Sequence, residues 1–235
     1  MSHLEKLTLY VRSYHRATFI DDTHLHKEIL NHMQRLHTFR FFISTEIEIN
    51  DSTHHISEND IQRTFTNIGY HQKVCNIYYF GIRKVICSVF TVPFVFDYLK
   101  KITNKFQTMI LNYVTYLMVI DTIPFKYEFF IRISKAFPLL KHFSIVNILS
   151  PLFDFGSQKA ENIPSYSLIE YSRLMSLDIM DVDNYYIEQF LLDTKTHATQ
   201  LTAIQVRYHQ LRTVTENFTR NTTRRNCANI KRLIF

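Results

Sequence analysis

Histidine is the residue type best equipped for chemistry in this chain. There are 12, with His24, His26 and His32 close together and His54-His55 adjacent. Two histidines share a helix face as metal ligands when they stand four residues apart. A zinc site also wants a tetrahedral set that usually adds Cys or carboxylate. His24 and His26 fail that spacing and no H-E-x-x-H occurs, so no metal site is assigned. The acidic pairs Asp21-Asp22, Asp181/Asp183 and Glu46/Glu48 are the candidates for proton transfer. General acid–base catalysis needs a carboxyl group whose pKa a pocket has shifted. The helix dipole accounts for Asp181 and Asp183 at a helix start, and Glu46 and Glu48 share one solvated strand face. No catalytic residue, no cofactor and no enzymatic activity is expected.

The other chemistry-bearing types point the same way. Cys75, Cys87 and Cys227 are odd in number, widely spaced and without C-x-x-C. That pattern argues against a disulfide framework and for a reducing compartment, cytoplasmic or nuclear. Arginines near Cys227 are of the kind that lower a thiol pKa, but a reactive thiol is not expected. The three glycines, Gly69, Gly81 and Gly156, are too far apart for G-x-G-x-x-G, for a phosphate-binding P-loop or for a G-x-S-x-G elbow. The longest apolar stretch, Val85 to Phe96, contains Pro93 and is too short to span a bilayer, so no membrane partner is expected. Net charge is +6, and residues 201–235 hold seven Lys and Arg against Glu216 alone. This basic end offers the alternative function, binding to an anionic surface or nucleic acid. Base stacking would want aromatics interleaved with the arginines. Tyr208 and Phe218 provide few, so nucleic acid is disfavoured.

The elements that position these residues recur. The pattern apolar-x-x-apolar-x-apolar begins at Leu4, Leu36, Val74, Val114, Leu140, Leu174, Leu201 and Ile230, with intervals of 26 to 40 residues. Its last two apolar positions alternate, as one strand face requires. Helical segments fall between. Asp22 and Thr23 offer a cap before Leu25, Ile29, Met33 and Leu36; Ser57 caps a helix carrying Ile61, Phe65 and Ile68. Pro93 suits a first turn before Val95, Leu99, Ile102 and Phe106. Pro124 starts a helix with Phe130, Ile133 and Phe137 inward, and Asp181/Asp183 precede Ile187, Phe190 and Leu191. Leu211, Val214 and Phe218 mark the last helix. Residues 147–164, with Pro151, Gly156 and Pro164, read as a long loop.

Units that bury their apolar side only by stacking on neighbours form a solenoid. The expected fold is α/β: one leucine-rich-repeat domain over residues 1–235, of seven or eight irregular repeats. It is a curved right-handed arc with parallel strands on the concave face and helices outside. Period two then decides the facing. Tyr10, Arg40, Phe42, Tyr78, Phe80, Met118, Ile120, Val146, Asp178, Met180 and Arg207 are expected on the concave face. Exposure is expected above all at Tyr10, Phe42, Phe80, Ile120, Val146 and Met180. Leu7, Leu9, Phe39, Phe41, Leu117, Val119, Phe143, Ile145, Leu177 and Ile179 are expected inside. A ladder of exposed Tyr, Phe, Ile, Val and Met marks a protein contact surface.

The units, with their Phe-, Tyr- and Ile-rich strands, resemble the leucine-rich-repeat portion of F-box proteins. The closest segment is Ala136-Phe137-Pro138-Leu139-Leu140-Lys141-His142-Phe143-Ser144-Ile145, where a helix ends at Pro138 and a strand begins. The resemblance implies a protein-interaction module of the kind that recognises ubiquitin-ligase substrates. No F-box is visible, and the chain begins inside a repeat at Leu4-Glu5-Lys6-Leu7. A ligase adaptor would therefore be a partner only with an F-box upstream.

Overall fold

The computed structural model describes residues 3–48, 57–65, 72–80, 84–106, 108–121, 123–147 and 168–235. The chain divides into two compact units, Met1–Val95 and Phe96–Phe235.

In the first unit, β1 (Lys6–Arg16), α1 (Asp22–Glu28), β2 (Thr38–Glu48), α2 (Glu58–Thr64), β3 (Gln72–Phe80) and β4 (Lys84–Val92) follow in order. The sheet runs β1-β2-β4-β3. β1 lies parallel to β2, whereas β4 is antiparallel to both β2 and β3. This mixed sheet overturns the single parallel solenoid. The physical reason lies in chain length: only residues 81–83 separate β3 from β4. A parallel return needs a crossover of about a dozen residues or more, so the chain can only double back. Both helices are capped where short polar residues precede them. Asp21, rather than the expected Asp22 or Thr23, accepts from the His24 N–H at 3.0 Å, and Ser57 accepts from the Asp60 N–H at 3.1 Å. One sheet face joins Leu25 of α1 and Ile61 of α2 in a core with Phe41, Ile43, Cys87 and Val89.

In the second unit, β5 (Tyr98–Ile102), β6 (Tyr116–Asp121), α3 (Tyr127–Ala136) and β7 (His142–Asn147) come first. Then follow β8 (Ile169–Glu170), β9 (Ser176–Asp181), α4 (Asn184–Leu191), β10 (Thr196–His197), β11 (Ala203–Gln205), α5 (Tyr208–Val214), α6 (Arg224–Cys227) and β12 (Arg232–Ile234). Six strands form an all-parallel sheet in the order β12-β11-β9-β7-β6-β5, and β8 and β10 pair separately. The expected helix from Val95 to Phe106 is corrected: its centre is strand β5. Leu99 and Ile102 are both buried although three residues apart, because the register shifts between Lys100 and Ile102, where Lys101 takes φ 61°. Of the expected loop 147–164, only Asn147 is described, as the last residue of β7.

Strands laid down in chain order with crossovers of one hand send their connecting helices to one face. That face is aromatic. Phe190 of α4 meets Phe130 of α3 edge-on at 5.4 Å and Phe143 of β7 at 5.6 Å, and Tyr171 donates its hydroxyl to the Phe130 carbonyl at 3.0 Å. Asn226 closes the far end of α4. Its Nδ2 donates to the carbonyls of Phe190 (3.0 Å), Leu191 (3.4 Å) and Thr196 (2.7 Å), and its Oδ1 accepts from the Ala198 N–H at 3.1 Å. The last carbonyls of a helix have no partner within the helix; here a buried amide supplies one.

Candidate functional site

Period two holds within the six-stranded sheet. Leu117, Val119, Phe143, Ile145, Leu177 and Ile179 are fully buried on the helix side. The opposite face carries Tyr98, Lys100, Tyr116, Met118, Val146, Asp178 and Met180, all half-exposed. Ladder register places Tyr98, Tyr116, His142 and Ser176 in one row across the strands. Lys100, Met118, Ser144, Asp178 and Gln205 form the next.

The first row is a ring stack. Tyr98 and Tyr116 have ring centroids 4.9 Å apart, and His142 stacks on Tyr116 at 6.3 Å. The Lys100 ammonium lies 4.8 Å from the Tyr98 ring and 5.5 Å from that of Tyr116, within cation–π range. Burial, with the Asp178 charge behind it, pushes the Tyr116 hydroxyl pKa up, so it stays protonated and able to donate. In the second row the Ser144 hydroxyl donates to Asp178 Oδ2 at 3.0 Å. The β7–β9 register then shifts, so Val146 stands opposite Asp181 rather than Met180.

Polar groups collect where the strands end. Asp121 and Asn147 are paired neighbours on β6 and β7. The Asn147 amide donates to Asp183 at 3.3 Å, and Arg207 reaches Asp181 at 2.7 Å and the Met180 carbonyl at 3.2 Å. The Asp121 carboxylate is buried and accepts from the Tyr186 hydroxyl, which in turn accepts from the Phe125 N–H at 2.8 Å. Burial raises the Asp121 pKa to about 6; the Tyr186 hydrogen bond lowers it, the Asp183 charge raises it, and the Ile123 N–H lowers it. Ligands of open α/β sheets bind at the carboxyl ends of strands. Here most of these groups are tied to protein partners, while Asp121 Oδ1 and Asn147 Oδ1 are buried without a hydrogen bond among the described residues. Among the described residues no three His, Cys, Asp or Glu gather as a metal site.

The predicted contact residues thus fall in two different sheets. In the second unit, Met118, Val146, Asp178 and Met180 share the strand-only face, and Arg207 is exposed at its end. Ile120, expected exposed, is buried at 4%, next to the buried Asp121 at the end of β6. In the first unit, Tyr10 and Arg40 are half-buried, and Tyr78 is buried. Phe42, expected exposed, is 1% exposed. It stacks on Tyr10 at 4.6 Å and meets Phe90 at 6.2 Å and Phe94 at 6.0 Å. Phe41-Phe42-Ile43 has no polar residue to turn outward, so both faces of β2 are apolar there. Leu7 and Leu9, expected inside, are half-buried on the flanking strand β1. Phe80 is the last residue of β3, and its side chain lies outside the described residues.

Tyr98, Lys100, Tyr116 and His142 escaped the sequence reading. Tyr116 and His142 stand two positions before Met118 and Ser144, so period two already placed them on the same face. The helix reading of residues 95–106 hid the other two. Burial pushes the Cys227 thiol up to about 11, and the nearby arginines do not lower it. Among the described residues no helix is long and apolar enough to cross a membrane. Comparison with protein-family models, with curated proteins and with solved structures finds no match, so none of them ties the chain to F-box or leucine-rich-repeat proteins.

Proposed function

We propose that the chain is a protein-interaction module whose second unit presents the strand-only face of its parallel sheet to another protein. The observation that supports this is the one-sidedness of that sheet. Parallel sheets are ordinarily packed on both faces, yet among the described residues the crossover helices α3 and α4 pack on the Phe143 side. The opposite side keeps Tyr98, Tyr116, Met118, Val146 and Met180 half-exposed around the Ser144–Asp178 pair. Aromatic and Met side chains are the types enriched where proteins meet. The partner is a protein surface with apolar side chains for Met118, Val146 and Met180 and a hydrogen-bond donor for Asp178.

The alternative, an anionic surface or nucleic acid at the basic residues 201–235, separates by salt. Phosphate contacts weaken steeply with ionic strength, whereas apolar contact does not. A photo-crosslinker placed at Met118 should capture one defined protein. Its affinity, measured afterwards with purified partner, should fall about tenfold or more in Val146→Asp/Met180→Asp and change little between low and high salt. Unchanged affinity in that variant, with loss in Arg224→Glu/Arg225→Glu, would replace this reading by the alternative.

A further inference from the structure

A second surface lies at the edge of the sheet opposite β5, where α5, the turn after it and β12 meet. Three aromatic rings gather there, two of them around Tyr208, while standing open to solvent. Tyr208 packs edge-on against Phe235 at 5.4 Å and meets Phe218 at 6.4 Å, and the three are 50%, 60% and 55% exposed. Leu233 and Ile234 of β12 are exposed as well; register puts Leu233 on the helix side with Ile204 and Leu177, and Ile234 on the strand-only side with Gln205 and Asp178. Apolar residues scattered singly on a surface need no explanation, but a contiguous group does.

The backbone holds this group out. Glu216, Asn217 and Phe218 are consecutive non-glycine residues at φ 52°, 58° and 67°. That conformation crowds Cβ against the carbonyl and is disfavoured at each position. It persists because the turn is pinned. The Asn217 N–H donates to the Arg212 carbonyl at 2.8 Å, the Phe218 N–H to Thr215 Oγ1 at 3.1 Å, and Arg212 Nε to Asn217 Oδ1 at 2.5 Å. Strained residues that the surroundings over-determine cluster at binding sites.

The strand edge adds backbone donors and acceptors. The Arg232 N–H donates to the Thr202 carbonyl at 3.1 Å, and the Ile234 carbonyl accepts from the Val206 N–H at 3.0 Å. In a parallel ladder alternate residues point their groups the other way, so the N–H and C=O of Leu233 face away from β11. Among the described residues β11 is the strand neighbour of β12. The charge around the edge is basic: Arg212, Lys231 and Arg232 are exposed, and Glu216 is the single acid from residue 194 to 235, paired with Arg220 at 3.6 Å.

We propose that this edge binds an extended acidic segment of another protein, laid along β12 through Leu233 with its apolar side chains on the ring trio. Strand addition of this kind takes affinity from main-chain hydrogen bonds and specificity from alternate side chains. Charge decides the occupant: a second copy would set Lys231 and Arg232 against their own kind, whereas carboxylates complement them. The ring geometry disfavours bases, because the edge-on Tyr208–Phe235 pair leaves no parallel faces to sandwich one, and Leu233 and Ile234 cannot stack.

The test uses the full chain and fluorescence anisotropy with a labelled peptide alternating Glu and Phe, its counterpart alternating Lys and Phe, and a labelled single-stranded oligothymidine. The acidic peptide should bind saturably, and the basic one at least tenfold more weakly. Phe218→Ser/Phe235→Ser and Lys231→Glu/Arg232→Glu should each weaken it about tenfold with an unchanged far-UV spectrum, since all four side chains are exposed. Leu233→Pro removes the outward N–H together with the Leu side chain and should weaken binding more than Leu233→Ala does, while keeping the β11 ladder. Val146→Asp/Met180→Asp should leave the peptide affinity unchanged, which separates this surface from the strand-only face. Equal binding of both peptides, no effect of Leu233→Pro beyond that of Leu233→Ala, or binding of the oligothymidine alone would overturn the proposal. So would a self-associated chain whose dissociation accompanies Phe218→Ser/Phe235→Ser.

Discussion

The Tyr186 hydroxyl, on α4, donates to the Asp121 carboxylate at the end of β6, 65 residues earlier in the chain. The same hydroxyl accepts from the Phe125 N–H. One buried phenol thus joins a strand end, the chain entering α3 and the first turns of α4. Tyr186→Phe keeps the ring contacts with Phe125 and Phe130 and removes only the oxygen. It leaves a buried N–H and a buried carboxylate short of a partner, so it should cost about 1–3 kcal/mol in urea unfolding. A cost below about 0.5 kcal/mol would show that water replaces the hydroxyl.

Asp121 makes stability depend on pH in a stated direction. Its folded pKa of about 6 lies above the ordinary 3.8. The folded state therefore holds the proton more tightly, and stability rises as pH falls. The contribution is fully present below about 3.8 and is lost as pH rises through about 6. Asp121→Asn removes the titration. The difference between wild type and variant should move in favour of the wild type as pH falls from 7 to 4. A difference that stays flat across that range would remove Asp121 as the cause.

The two faces of the six-stranded sheet should respond differently to truncation. Leu117→Ala and Phe143→Ala remove fully buried side chains and should cost about 2–5 kcal/mol each, cavity included. Met180→Ala, on the half-exposed face, should cost about 1 kcal/mol or less. Equal costs in chemical unfolding would mean the strand-only face is packed as tightly as the helix side.

Asn226 should be among the most sensitive polar positions. Asn226→Ala strands the carbonyls of Phe190 and Thr196 and the Ala198 N–H, and each buried orphan costs about 1–3 kcal/mol. Asn226→Asp should be worse than Ala, because it sets a carboxylate against those carbonyls. A stability within about 0.5 kcal/mol of wild type for either variant contradicts the role assigned to the amide.

Cys227 should be a slow thiol. With its pKa near 11, its thiolate fraction at neutral pH lies about two orders of magnitude below that of a free cysteine near 8.5. Alkylation by iodoacetamide should be correspondingly slow in the folded chain and recover on unfolding. Fast labelling of the native chain at neutral pH would place the thiol in a different environment.

Much of the strand inventory was legible, because a strand writes its two faces into a period of two. All eight apolar motifs overlap strands, from Leu7 and Leu9 in β1 to Leu233 in β12, with Val206 and Phe235 just past the ends of β11 and β12. In the second unit the alternation from Leu117 to Ile179 also gave the facing, except at Ile120, which is buried. Tertiary structure decided what period two cannot encode. Strand direction followed from the three-residue gap between β3 and β4, which forbids a crossover, and it broke the expected arc into a mixed sheet and a parallel one. Phe42 became core because β2 is flanked on both edges and buried on both faces, a fact of neighbours rather than of spacing. Asp121 with Tyr186, and Asn226 with the end of α4, meet across 65 and about 35 residues of chain. Such pairs leave no local pattern: a hydrogen bond depends on where folding brings two atoms, and a sequence period records only which way a side chain faces.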